Sequence, residues 1–417
     1  MTVAQVAIDR GARPHPLSAP TLSVVIPAYN EEDGIADIIE RVLAVRPALA
    51  CAGVPHLELI VVDDGSADGT AEIVARYSEV RLVKHPVNKG YGAALKTGFC
   101  AAGGELVGFL DADGTYPPEL FPTLCQEAIQ GADLVVGSRR SGSDSKMPVV
   151  RQIGNFVWAN LVTLLGNHRV LDPASGMRVF RKTVFEDLCP LPDGLNFTPV
   201  MSTRAVHEGL RMVEVPIPYE ERAGRSKLNV IKDGTRFLQT IIWTSLTYNP
   251  VRILGGVGLF GCLMAATIAL GLIAARLRGV TSLSPLGVAS TFTAVVLGIA
   301  GVDLFALGAT FNYLVSLFHR RPVRQGLFGR PLFRTPIDRH FWWMGGLMVV
   351  AGLIFGVVSL ILALGPWPIE RLWLYLLAGV MLILVGVQLI LFWVIARVLE
   401  ELSQREALAQ VDLGTRA

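Results

Sequence analysis

Asp111 and Asp113 stand one residue apart in ELVGFLDADG, where an apolar run gives way to a turn. Two carboxylates at that spacing can hold one hard divalent cation, with water and phosphate oxygens completing the octahedron. A second acidic pair, Asp63 and Asp64, follows the apolar run LELIVV. Arg139 in GSRR closes a third apolar run, and Arg151 opens the apolar stretch RQIGNFVWANLVTLL. Guanidinium forks pair with phosphate oxygens, so both arginines fit a phosphate clamp. Taken singly, a D-x-D is more often a solvated turn, and an arginine more often a surface residue. The elements around them decide between these readings.

From Thr21 the chain alternates in a βα rhythm. TLSVVIPAYN is an apolar run broken by Pro27, and EEDGIADIIERVLAVRPAL has helical spacing behind an Asn30 cap. LELIVVDDGS repeats the pattern with a Ser66 cap, and VRLVKHPVN, KGYGAALKTGFCAAGG, ELVGFLDADG, PPELFPTLCQEAIQ and ADLVVGSRR follow. Strands alternating with helices predict an α/β, mainly parallel, doubly wound sheet. Such sheets bind ligands at the carboxyl ends of their strands, where both acidic pairs fall.

The rest of the chain is a different chemical object. The 417 residues are 52% hydrophobic and 17% charged, with a mean hydropathy of +0.48, too apolar for an ordinary soluble protein. Apolar runs at about 253–275, 288–318, 341–365 and 372–396 are each long enough to cross roughly 30 Å of hydrocarbon. The loop HRRPVRQGLFGRPLFRTPIDRH holds six arginines against one aspartate, which positive-inside counting assigns to the cytoplasm. With four spans, the N-terminal domain and the C-terminal tail share that side. The first twenty residues lack an apolar run of signal-peptide length, in keeping with a cytoplasmic domain. The expected order is a flexible N-terminus (1–20), a polar domain (21–230), an interfacial helix with Trp243 and Tyr248 (231–252), a four-helix membrane domain (253–398) and a cytoplasmic tail (399–417). Residues 1–252 carry a net charge of −3, which argues against nucleic acid as a partner. Neither the five scattered cysteines nor the histidines show a disulfide framework or metal spacing. Asp303, inside the second apolar run, is costly there and is read as a functional group or as a carboxyl bonded to a neighbouring helix.

PAYNE at 27–31, DDGSADGT at 63–70, NKGYGAALKTG at 88–98, DAD at 111–113 and GSRR at 137–140 occur in that order. The set resembles the family 2 glycosyltransferases, whose nucleotide-diphospho-sugar-binding fold is called GT-A, over roughly residues 20–230. LDPASGMRVF at 171–180, ERAGRSKLN at 221–229 and the trailing apolar helices bring it nearest to the dolichyl- or polyprenyl-phosphate sugar synthases. The resemblance implies Pro27, Ala28, Tyr29, Glu31 and Asp64 around base and ribose. It places Asp111, Ala112 and Asp113 at the donor diphosphate, with Mg²⁺ or Mn²⁺ on Asp111 and Asp113. The family often has Gln two places after the second Asp; Thr115 stands there, so a Thr115 hydroxyl or a water could supply the third ligand. Nor does GLNFTPVMSTRA carry the acidic residue common in the family's next helix; Thr198 is the nearest polar group.

A sugar-hydroxyl acceptor needs a general base, whereas a polyprenyl monophosphate is already anionic near neutral pH and needs cations to position it. Arg139, Arg151 and, by the resemblance, Asn155 fit that acceptor phosphate. Lys227 beside Ser226, assisted by Arg222 or Arg225, fits a closing flap over the donor diphosphate. The expected reaction is a single in-line displacement at the sugar's C1, with Asp113, Arg139, Arg151 and Lys227 as its catalytic set. The donor is GDP-mannose or a UDP-sugar and the product a β-linked lipid-phosphate sugar. Two alternatives stay open: transfer to a lipid hydroxyl, and a transferase domain fused to a lipid-linked-sugar translocase or scaffold. The Q-x-x-R-W motif of processive polysaccharide synthases is absent from the sequence.

Overall fold

The structure, a computed structural model, describes residues 19–139, 149–166, 169–218, 230–280, 284–319, 337–365 and 369–412. Its contacts divide the chain into two units, Met1–Thr244 and Ser245–Ala417.

In the first unit the elements run β1 (Thr21–Ala28), α1 (Ile35–Ala44), α2 (Arg46–Cys51), β2 (His56–Asp63), α3 (Thr70–Val74), β3 (Val80–Lys84), α4 (Tyr91–Ala101) and β4 (Leu106–Phe109). There follow α5 (Phe121–Ile129), β5 (Leu134–Ser138), α6 (Val149–Gly166), β6 (Arg178–Arg181), α7 (Phe185–Leu188), α8 (Phe197–Glu208), β7 (Met212–Pro216) and α9 (Val230–Tyr248). Among the described residues seven strands form one sheet in the order β3-β2-β1-β4-β6-β5-β7. β3, β2, β1 and β4 are mutually parallel, as the βα rhythm predicts. β6 runs antiparallel to both β4 and β5, and β5 pairs parallel with β7. That reversal matters for the site, because the loop entering β6 arrives at the carboxyl edge of its neighbours. Phe109 pairs with Arg178, so Asp111, two residues beyond, faces the approach to β6.

The sheet is buried on both faces. Val24, Ile26, Leu59, Val61 and Val179 meet the apolar stripe Ile35, Ile38, Ile39 and Val42 of α1. On the other face Phe99 of α4 packs edge-on against Phe180, with ring centroids 5.0 Å apart, and also touches Phe109 and Phe197. Gly98 lets α4 lie directly on β1, since a Cβ there would sit 2.2 Å from Val25 Cγ1.

The second unit contains α10 (Pro250–Leu277), α11 (Pro285–His319), α12 (Phe341–Ala363) and α13 (Ile369–Asp412). Four helical stretches, Pro250–Leu277, Pro285–Val315, Ile337–Ala363 and Tyr375–Leu402, are long and apolar enough to cross a membrane. α10 starts earlier than the apolar run suggests, with Pro250 as its first residue, a position where the missing N–H costs nothing. α13 continues to Asp412, so residues 399–412 extend the last helix, as their Leu, Glu, Gln and Ala content favours. Small residues allow close helix approach: a Cβ on Gly258 of α10 would lie 2.4 Å from Gly301 O of α11. Asp303 Oδ2 accepts a hydrogen bond from Gln388 Nε2 of α13 at 2.9 Å, the inter-helix bond that is one of its two sequence readings.

Candidate active site

The loops leaving β1 and β2 are laced together. Pro27 and Ala28 end β1, Tyr29 is exposed, and Asn30 takes φ +52°, a conformation that asparagine tolerates. Asn30 N donates to Ser66 Oγ, Ala67 N to Asn30 Oδ1, and Glu31 N to Thr70 Oγ1. Asp64 is buried with a dense set of donors. Its Oδ1 accepts Lys89 N at 2.9 Å and meets His85 Nδ1 at 2.6 Å, while its Oδ2 accepts Gly90 N at 2.8 Å. A carboxylate only accepts, so His85 Nδ1 is the donor, and the Nε2 of a neutral ring then accepts Thr97 Oγ1 at 3.0 Å. Asp64 thus organises the NKGYG segment in addition to standing at a strand end.

Asp111 and Asp113 leave β4 on a turn containing Gly114 at φ +71°. Tyr91 Oη donates to Asp111 Oδ1 at 2.7 Å. Gly176 presses on the same carboxyl from the β6 side, where a Cβ would meet Asp111 Oδ2 at 2.6 Å. Burial first, and Asp111 second, push the Tyr91 phenol well above its ordinary value, so it stays a donor. Thr115 gives both its hydroxyl, at 2.6 Å, and its N–H, at 3.2 Å, to Asp113 Oδ1. Its proton is committed to orienting Asp113. No cluster of three His, Cys, Asp or Glu suited to a metal occurs among the described residues. Two oriented carboxylates fit a hard cation that takes its other ligands from water and phosphate.

Arg139, at the end of β5, is built into the protein rather than lying loose on its surface. Its Nε and Nη2 donate to Asp172 Oδ2 and Oδ1, each at 2.7 Å, and its backbone N donates to Oδ2 at 3.0 Å. Asn155 Nδ2 of α6 gives Asp172 a further bond at 2.9 Å, which fixes the orientation of that amide. Arg139 and Asn155 therefore meet on one buried carboxylate. Burial by itself would raise Asp172, but the Arg139 guanidinium, its N–H and Asn155 outweigh this and hold it below the usual range. Beneath it, Glu214 of β7 accepts the N–H groups of Leu171 and Asp172, and burial pushes its carboxyl up to about 7. Arg178, fully buried, staples the loop from below through Nη2 to Pro173 O at 2.7 Å and Nε to Ser175 O at 3.0 Å.

Tyr116 joins the two halves of the site. Arg139 Cζ lies 5.9 Å from its ring centroid, and its hydroxyl oxygen accepts Gly176 N at 2.7 Å. The carboxylate pair and the arginine anchor thus share the Asp172–Gly176 loop. Of Arg151 only the backbone, in α6, is described; Lys227, Ser226, Arg222 and Arg225 lie outside the described residues.

Residues 23–189 match the profile described as glycosyl transferase family 2, and residues 250–410 match a domain of unknown function, DUF8752. An undecaprenyl-phosphate 4-deoxy-4-formamido-L-arabinose transferase of Aeromonas hydrophila is 30% identical over 320 residues, 75% of this chain and 94% of the relative. The chain belongs to glycosyl transferase family 2. A dolichyl-phosphate hexose transferase of Haloferax volcanii is 30% identical to this glycosyltransferase over 53% of the chain and 92% of the relative. A low-salt glycan biosynthesis hexosyltransferase of the same organism is 35% identical, and there the chain spans 54% of the relative's length. Among solved structures, glucosyl-3-phosphoglycerate synthase from Mycobacterium tuberculosis is 25% identical, with a TM-score of 0.44, covering 55% of this chain and 78% of that one. The mixed seven-stranded sheet is of the GT-A type, and four apolar helices follow it, making the glycosyltransferase an integral membrane protein.

Four residues of this glycosyltransferase's site escape sequence reading. His85 stands alone among histidines without metal spacing, and only its place before NKGYG marks it. Tyr91 sits in that same run, where the glycines draw the eye. Asp172 lies inside LDPASGMRVF, but nothing in the spacing pairs it with Arg139, 33 residues earlier. Glu214 sits inside a run of four buried residues, with no turn or charged partner beside it in sequence.

Proposed function

We propose that this glycosyltransferase moves a sugar from a nucleoside-diphosphate donor to a polyprenyl monophosphate, with inversion at the anomeric carbon. The observation that carries this reading is the fixed guanidinium of Arg139, locked on buried Asp172 and joined through Tyr116 and Gly176 to Asp111. An anionic acceptor needs a positioned cation and no base. The two relatives named for dolichyl-phosphate and undecaprenyl-phosphate transfer support the same acceptor class.

Pro27, Ala28, Tyr29, Glu31 and Asp64 border the nucleoside, and Ala112 lies between the carboxylates against the diphosphate. A divalent cation, Mg²⁺ or Mn²⁺, held by Asp111 and Asp113 would supply positive charge to the departing diphosphate. Thr115 orients Asp113 for that task. Arg139 and Arg151 hold the acceptor phosphate, and Asn155 serves by tying Arg139's anchor to α6. A phosphate oxygen attacks C1 as the bond from C1 to the diphosphate oxygen breaks, and Lys227 meets the charge that leaves. The Arg-rich sequence before α12 supports a cytoplasmic side for the catalytic unit and the C-terminus.

The test uses membranes containing the protein, polyprenyl phosphate, Mn²⁺ and a panel of radiolabelled GDP- and UDP-sugars. Label should enter an acid-labile glycolipid in the organic phase and be lost with Asp113→Asn. Label entering an acid-stable glycolipid would point instead to a lipid hydroxyl as acceptor.

A further inference from the structure

Tyr91 holds a place that the reaction chemistry does not require. It is the first residue of α4, and the two residues before it, Lys89 and Gly90, donate their N–H groups to Asp64 at 2.9 and 2.8 Å. On its other side Gly92 N and Ala93 N donate to Asp193 O at 2.7 and 3.2 Å. Gly90 takes φ +104°, and a Cβ there would lie 2.5 Å from Asp193 O, so the backbone at Tyr91 has one course. The ring is set against Phe197 edge-on, with centroids 6.5 Å apart. Backbone and ring are thus both held where the hydroxyl reaches Asp111 Oδ1. Asp111 is in turn confined by Gly176 at its other oxygen.

We propose that Tyr91 is a positioning residue: it fixes the orientation of Asp111 for divalent cation, and so ties cation affinity to the donor loop that Asp64 holds. This rests on the metal-dependent donor binding proposed above. A short hydrogen bond from a neutral hydroxyl to a carboxylate sets geometry without removing charge, leaving Asp111 an anionic ligand.

The experiment is calorimetry of GDP and UDP binding to the full chain in detergent across a Mn²⁺ titration, comparing wild type, Tyr91→Phe and Asp111→Asn. Tyr91→Phe should raise the Mn²⁺ needed for half-maximal nucleotide binding roughly tenfold, the scale of a lost hydrogen bond to a charged group. Its metal-free nucleotide affinity should match wild type. A fall in metal-free affinity and unfolding temperature, with the Mn²⁺ requirement unchanged, would mean that Tyr91 is only a packing residue and overturn the proposal. A Tyr91→Phe titration superposing on wild type, while Asp111→Asn loses the Mn²⁺ effect, would overturn it and leave the metal site standing. Wild type indifferent to Mn²⁺ would overturn both.

Discussion

Arg139 and Asp172 form a two-pronged ion pair in which the guanidinium is spent, along its Nε–Nη2 edge, on a carboxylate with no solvent exposure. Removing one member of such a pair strands a buried charge, which costs about 3–5 kcal/mol. Asp172→Ala should therefore destabilise the chain by about that amount, seen as a lower unfolding temperature in detergent. Arg139→Lys keeps the charge but not the fork. It should lower turnover with lipid phosphate roughly tenfold or more while leaving nucleotide affinity unchanged. Equal loss of nucleotide affinity would place Arg139 on the donor side instead.

The parallel half of the sheet, the four apolar helices and the carboxylates at strand ends could all be read in the sequence, because each rests on local periodicity. DAD follows its own strand, and Asp64 its own. What could not be read depends on β6. RVFR is too short to show its direction, and its antiparallel course is what brings Asp172 and Gly176 beside Arg139 and Asp111. The same holds for Thr115. Its position two places after Asp113 suggests a ligand, yet its hydroxyl points back to Asp113, a geometry that spacing alone leaves undetermined.

Thr115 gives a second prediction. Thr115→Val preserves volume and removes the hydroxyl that donates to Asp113. Mn²⁺-dependent nucleotide binding should weaken roughly three- to tenfold, and Thr115→Ser should restore it. Calorimetry with GDP and UDP reads the effect, and a Val variant indistinguishable from wild type would show that the backbone N–H alone orients Asp113.

Glu214 makes stability depend on pH in a stated direction. Its carboxyl is pushed by burial to about 7 in the folded chain, against 4.5 for an ordinary Glu. Between those values the unfolded chain has released a proton that the folded chain keeps. The folded state binds more protons there, so stability falls as pH rises through the window and levels off above it. The full effect is on the order of 3 kcal/mol. The unfolding temperature of wild type should drop between pH 5 and 8 relative to Glu214→Gln, which has no proton to lose. Parallel pH profiles for the two would show that Glu214 ionises normally.

Stereochemistry tests the displacement itself. Arg139 Cζ lies 5.9 Å from the Tyr116 ring centroid while the Tyr116 hydroxyl accepts Gly176 N, and the proposed reaction gives acceptor phosphate and donor diphosphate different anchors, Arg139 and the Asp111–Asp113 pair. If one oxygen attacks as the other leaves, the configuration at C1 inverts. A nucleotide-activated α-sugar should then yield only the β-linked lipid-phosphate sugar, read from the anomeric proton and phosphorus couplings in the product's NMR spectrum. A double displacement would need a nucleophilic side chain on the sugar and would return the α-anomer, and an α product would refute the single in-line step.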